Sequence, residues 1–202
     1  FALIKSINCD HSIEVEILNQ KTHLSEKTLG SWLGVHTVVG NWTDTYDKGV
    51  ERRIKRSKAR KDSFITLNLD KRYGMGTTEY SREHEAIAIT LECGQHSDPN
   101  SEAIAFNAIA SVLAQLNMIN NGKGKIKINE INFLRLFEVY DKHALNDSLL
   151  YPWKNFDNIT KSTEVAIRSC GETIVASEDC TILFPNKNAD LGQEWFYLAK
   201  HS

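Results

Sequence analysis

The sequence predicts an α/β fold: part of a mixed-sheet domain, followed by a small antiparallel β domain. Three observations carry that prediction. An apolar stretch, Ala86 to Leu91, ends on Glu92 and a Cys-Gly turn and is followed by a long helical pattern; strand, turn and helix in that order make an α/β unit. After Lys125 the pattern changes to short alternating segments separated by turn residues, which reads as antiparallel β structure. The chain has 202 residues, 41% hydrophobic and 25% charged, so it can bury a core in one ordinary domain or two small ones. The expected division is 1–125 and 126–202.

Phe1 to Ile7 reads as a short strand. Ser12 to Thr28, with apolar points at Ile13, Val15, Ile17, Leu18 and Leu24, carries a moderate helix signal that Gly30 and Gly34 break. Val35 to Val39 is expected to be a strand, with an aromatic loop holding Trp42 and Tyr46 after it. Gly49 to Lys61 is strongly basic (Arg52, Arg53, Lys55, Arg56, Lys58, Arg60, Lys61) and reads as a solvated helix or mobile loop. An anionic-ligand or partner site is its alternative; a nucleic-acid patch would need aromatic partners or a known module around it.

Ala86 to Leu91 is apolar on both faces, as a buried parallel strand is. A helix is expected from about Asn100 to Asn120, with Asp98 as N-cap, Pro99 in the first turn and Ala105, Ile109, Val112, Leu113 and Leu116 at helical spacing. Asn120 to Lys125 (NNGKGK) then serves as a hinge. The expected C-terminal strands are Phe133 to Tyr140, Tyr151 to Phe156, Val165 to Ser169, Thr173 to Ala176, Thr181 to Phe184 and Trp195 to Leu198.

Composition narrows the function classes. A net charge of −2 argues against a nucleic-acid or membrane-surface role driven by overall charge. No apolar run approaches the length that spans a bilayer. Cys9, Cys93, Cys170 and Cys180 are scattered without a CxxC pair, so the default setting is reducing and cytoplasmic. The chain opens on Phe1 without an initiator Met, which suggests a processed or truncated product, or numbering that begins inside a longer protein.

Glu92 is the leading candidate for chemistry. A carboxylate at the carboxyl end of an apolar strand stands where ligands bind in α/β folds. A structural carboxylate, pairing with a cation or capping the next helix, is the other reading. Arg82 lies ten residues earlier, and a guanidinium matches a carboxylate bidentately; a surface arginine is its alternative. His96 could ligate a metal or cap the turn, and His84 between Glu83 and Glu85 is a similar case. No His-Glu-x-x-His pair occurs, and the chain by itself offers no convincing metal site.

The stretch from Gly74 to Asp98, GMGTTEYSREHEAIAITLECGQHSD, resembles the corresponding part of the succinylglutamate desuccinylase/aspartoacylase family, zinc-dependent amide hydrolases related to the carboxypeptidase A fold. Ile182 to Lys200, ILFPNKNADLGQEWFYLAK, resembles that family's β domain. The resemblance implies a zinc-carboxypeptidase-like α/β portion over 1–125 and a β domain over 126–202. It implies that Glu92 is the general acid or base on zinc-bound water, and that Arg82 grips the carboxylate of an N-acyl amino acid substrate. Thr77, Thr78, Glu79 and Tyr80 then belong to the active-site loop, with Tyr80 a substrate contact. Tyr197 is the candidate pocket aromatic, with a core role as its alternative. The family's His-Gly-x-Glu and Asp-Leu-His type zinc-ligand motifs would fall upstream of Phe1, so the zinc is expected to be held outside this chain, which alone is expected to be inactive. The partner implied is a small acyl amino acid, with neither nucleic acid nor membrane, and self-association is left open. A non-catalytic ligand-binding or interaction domain on the same half-fold is the alternative function.

Overall fold

The computed structural model describes residues 3–7, 12–17, 20–59, 69–94, 97–120 and 131–201. They form two compact units, one from 1–42 and 75–134, the other from 43–74 and 135–202. These are not the contiguous segments 1–125 and 126–202 of the sequence reading, because 43–74 joins the C-terminal unit.

The first unit is built on β1 (Leu3–Ile7), the hairpin β2 (Ser12–Ile17) and β3 (Gln20–Ser25), α1 (Glu26–Trp32) and β4 (Thr37–Gly40). The helix expected over Ser12 to Thr28 is therefore a hairpin running into a short helix. Ser-Ile-Glu-Val-Glu-Ile alternates with period two and is rich in β-branched residues, which favours a strand over a helix. The hairpin register runs from Ser12 opposite Ser25 to Ile17 opposite Gln20. Ser25 caps α1 by accepting a hydrogen bond from the Thr28 amide at 3.0 Å.

After α2 (Trp42–Ala59), a 3-10 turn at Lys71–Gly74 precedes α3 (Thr77–Glu83), β5 (Thr90–Glu92) and α4 (Ser101–Gln115). β1 pairs in parallel with β4 (Ile4 opposite Val38) and antiparallel with β5 (Leu3 opposite Glu92), so the sheet is mixed. The Ala86–Leu91 expectation needs correcting: the strand is only Thr90–Glu92, antiparallel and half-buried. The cause lies at Ala86 and Ala88, whose backbone groups are already engaged. The Ala86 amide donates to the Ser81 carbonyl and the Ala88 carbonyl accepts from Arg82. The α4 expectation changes as well. Asn100 stands at the N-cap position while Asp98 accepts from the Asn100 amide ahead of it. The face of α4 that is buried carries Ala108 and Ser111, and Ile109 is exposed. Ser111 donates its hydroxyl to the Trp32 carbonyl. Val35 and Val38 form a core with Leu33, Ile89, Leu91, Ile131 and Phe133.

The C-terminal elements are β6 (Asn132–Asp141), β7 (Ser148–Leu149), β8 (Asn158–Ile159), β9 (Glu164–Ile167), β10 (Thr173–Val175), β11 (Cys180–Leu183) and β12 (Glu194–His201). β6 starts in the first unit and continues in the second, where the sheet order is β6-β12-β11-β8; a separate antiparallel sheet runs β10-β9-β7. The expected antiparallel β structure is present, and no helix occurs after β6 among the described residues. Tyr151 to Phe156 is not a strand. Pro152 cannot donate to a ladder, the Trp153 amide bonds the Tyr151 carbonyl, and Phe156 has a positive φ of 73°. The core of this unit gathers Ile159, Val165, Ile174, Ile182, Trp195, Phe196 and Leu198, with Tyr140 stacked on Phe196 at 4.9 Å.

α2 also differs from expectation. Trp42 and Tyr46 lie in the helix rather than a loop, and Asn41, at φ 65°, turns the chain into it. Its arginines meet carboxylates on the strands of the second unit. Arg52 bonds Glu138 at 2.6 Å, and Arg53, 1% exposed, bonds Glu194 at 3.0 Å and the Gly192 carbonyl at 3.2 Å. Asp141 lies 3.8 Å from Arg53 Nε and 3.7 Å from Arg56 Nη2. The Tyr46 ring faces the Arg53 guanidinium at 5.2 Å.

Neither approach to Asp141 is a hydrogen bond, and among the described residues its buried Oδ1 has no hydrogen-bond partner. Burial pushes its carboxyl up to about 6 despite Arg53 and Arg56. Asp147 shows the opposite balance. Burial acts against its charge too, but the amides of Ser169, His143 and Ala144 and the Arg168 guanidinium hold it at about 2.

Two outcomes follow from this packing. A Cβ on Gly74 would fall 2.3 Å from the Tyr46 ring, so Gly74→Ala should destabilise the protein by about 1–3 kcal/mol in urea unfolding. Asp141 has a folded-state value near 6 against an ordinary 3.8. Its contribution to stability is thus complete below about pH 4 and lost as the pH rises through 6. The stability of wild type relative to Asp141→Asn should fall by about 2–3 kcal/mol between pH 4 and pH 7. A difference that is flat across urea melts at pH 4, 5, 6 and 7 would show that Asp141 titrates normally.

Candidate functional site

The candidate site of the first unit is built from α3, the segment after it and β5. Gly76, in extended backbone, starts α3, and its amide donates to Glu79 Oε2 at 2.9 Å. That bond satisfies one of the helix's orphan amides and fixes Glu79 at its first turn. One turn further on, Arg82 projects from the same helix.

The Arg82 guanidinium is held on both edges. Nε donates to Glu26 Oε1 at 2.5 Å and Nη2 to Glu26 Oε2 at 2.9 Å, a bidentate fork. Nη2 also donates to the Ala88 carbonyl at 2.9 Å, and Nη1 to Glu79 Oε1 at 3.4 Å, the longest contact of the set. Glu26 is fully buried. A carboxylate out of water needs such a partner, and removing one member of a buried pair costs roughly 3–5 kcal/mol. Glu26 was not singled out in the sequence. A glutamate in the first turn of a helix ordinarily reads as a partner of the helix dipole, and nothing local tells that it reaches a residue 56 positions away.

Glu92 is the last residue of β5, half-buried. The chain leaves it through Cys93 and Gly94, whose φ of 121° is open to glycine and rarely to other residues. A hydroxyl contact of 3.0 Å between Thr78 and Thr90 ties α3 to the same strand. Arg82 and Glu92 thus sit on elements joined by the Thr78–Thr90 contact, and Arg82 also holds the Ala88 carbonyl two residues before β5.

The other candidates fall differently. Tyr80 is 61% exposed, with the His84 ring 4.2 Å from its own and His84 Nδ1 within 2.8 Å of its carbonyl oxygen. His84 is thus taken up by the end of α3. His96 lies outside the described residues. Tyr197 belongs to the second unit, buried in β12 opposite Leu183, with Phe184 edge-on at 6.3 Å. Burial, with Glu194 next, drives its hydroxyl well above the ordinary tyrosine value.

Among the described residues no group of three or more His, Cys, Asp or Glu side chains could hold a metal ion. They do not fit a catalytic zinc site, which needs three protein ligands, and no step through a metal follows from them. No described helix is long and apolar enough to cross a membrane.

No family model and no curated protein matches the sequence. Among solved structures, the chain is similar to the succinylglutamate desuccinylase of Vibrio cholerae, at 16% identity and TM-score 0.61, over 99% of this chain and 48% of that one. The succinylglutamate desuccinylase of Vibrio parahaemolyticus matches at 15% identity and TM-score 0.58, over 99% and 49%. The product-bound ectoine utilization protein EutE (DoeB) of Ruegeria pomeroyi matches at 13% identity and TM-score 0.56, over 98% and 53%. The chain spans about half the length of the structures it matches. At these identities the likeness is one of fold: a mixed α/β architecture with a separate small antiparallel sheet, shared with structures of the succinylglutamate desuccinylase/aspartoacylase family.

Proposed function

We propose that the protein carrying residues 1–202 hydrolyses the amide bond of a small N-acyl amino acid, with Glu92 as the acid–base group. The observation that carries this reading is the placement of Glu92, half-buried at the end of β5 and braced to α3. The shared fold with desuccinylases supports the substrate class. In this reading Glu92 takes a proton from the attacking water as its oxygen bonds to the amide carbon. It returns that proton to the leaving nitrogen as the carbon–nitrogen bond breaks, so the net reaction adds one water. Zinc is the cofactor of the reading. Since the described residues offer no ligand set, its ligands are proposed to lie outside them, in the part of the protein upstream of Phe1.

Arg82 is proposed to grip the substrate's carboxylate. With Nε and Nη2 on Glu26, that grip would use Nη1, which lies 3.4 Å from Glu79 Oε1. Tyr80 is proposed as a further substrate contact, and the setting as cytoplasmic; Tyr197, buried in β12, takes the core role that was its alternative.

The test uses the complete protein, assayed on N-succinyl-L-glutamate and N-acetyl-L-aspartate. Glu92→Gln should lower kcat by roughly 100-fold or more, the contribution of a positioned acid–base group, with zinc content unchanged. Loss of zinc would make Glu92 a ligand instead. Unchanged turnover would remove the acid–base role and leave the ligand-binding or interaction domain in its place. Arg82→Lys keeps the charge and loses the fork; KM should rise more for these acidic substrates than for a neutral N-acyl amino acid, and an equal rise would make Arg82 a scaffold residue.

A further inference from the structure

The segment between α3 and β5 carries no regular structure, yet it sets where the strand bearing Glu92 begins. Its backbone meets the Glu26–Arg82 pair at Ala88. The Ala88 carbonyl accepts from Arg82 Nη2 at 2.9 Å, and the Ala88 amide points to Glu26 Oε1 at 3.5 Å. Both backbone groups of Ala88 therefore face the same buried ion pair. Glu26 Oε1 meets Arg82 Nε as well, and Oε2 meets Nη2. Ala88 stands two residues before β5 and four before Glu92.

We infer that Glu26 is a positioning residue: with Arg82 it clamps the backbone at Ala88 and so fixes the placement of Glu92. The inference rests on the reading of Glu92 as the acid–base group. A proton-transfer group has to lie within hydrogen-bond reach of the proton it moves, and a misplacement of about 1 Å can cost up to about 100-fold in rate. A three-residue strand, paired among the described residues with β1, is too short to guarantee that placement. The Thr78–Thr90 hydroxyl contact braces the strand's first residue; the Glu26 clamp braces the approach to it. Burial of Glu26 makes the clamp stiff, because a buried carboxylate has no water to turn to when the guanidinium moves.

The experiment is amide hydrogen exchange on the unliganded complete protein, paired with its kinetics on N-succinyl-L-glutamate. Glu26→Gln keeps the shape and removes the charge. It should lower protection at Ala88, Thr90, Leu91 and Glu92 by roughly 10-fold or more, with β11 and β12 unaffected. In the folded variant kcat should fall by roughly 10- to 100-fold, and adding Arg82→Lys should cost less than the sum of the two changes, as for residues acting as one unit. Should Glu26→Gln fail to fold, Glu26→Asp keeps the charge, draws the carboxylate back and gives the same readouts. Wild-type protection at Thr90 to Glu92 overturns the clamp; lost protection with unchanged kcat overturns the positioning role. Turnover that survives Glu92→Gln overturns the acid–base reading instead, and it is read from a different variant.

Discussion

A carboxylate with no access to water must be answered by a cation, and in the first unit Glu26 is answered by Arg82. The pair joins three stretches of chain that are remote in sequence: the start of α1, the last turn of α3 and the residues leading into β5. The desolvation of the two groups is repaid only while the bidentate geometry holds, so the pair works as a constraint more than as a source of stability. It also accounts for the shortness of β5. Backbone groups at Ala86 and Ala88 that could have extended the strand are bonded to α3 instead, and the ladder starts only at Thr90.

The second unit solves a related problem with several charges. Arg52, Arg53 and Arg56 lie at one side of α2 and meet Glu138, Glu194 and Asp141 from β6 and β12. The basic run that could suggest an anion-binding surface is thus partly neutralised within its own unit. The two buried aspartates show what decides the ionisation of such groups. Asp147 receives three backbone amides and a guanidinium and stays strongly acidic, whereas Asp141 has two arginines near it, neither within hydrogen-bond distance, and is pushed toward neutrality. Proximity of charge does not replace a directed hydrogen bond once water is gone.

Much of the architecture was legible in the sequence where a single period ran long enough to be read. α4 was visible within a few residues of its ends, β6 and the strands at 164–167, 173–175, 180–183 and 194–201 were found in order, and the mixed α/β class followed. The hairpin at 12–25 is not legible, because sparse apolar points fit both periods over a short window. The aromatic residues of Tyr151 to Phe156 have a strand propensity that Pro152 and the turn at Phe156 override. At the site, Arg82 and Glu92 could be named from their residue types and from the resemblance of Gly74 to Asp98. Their surroundings could not, since Glu26 has no local mark of its partner.

What the sequence determined by itself is the set of elements and the chemistry available: a mixed α/β portion, antiparallel strands after Lys125, and a carboxylate and a guanidinium ten residues apart. Local periodicity and turn chemistry act within a few residues, so they are written in the chain. Only the tertiary structure decided that Glu26 faces Arg82, that residues 43–74 join the C-terminal unit, and that Ile109 of α4 is exposed while Ser111 is buried. Burial and ion pairing depend on which distant segments share a space, and that depends on the whole fold rather than on any window of sequence.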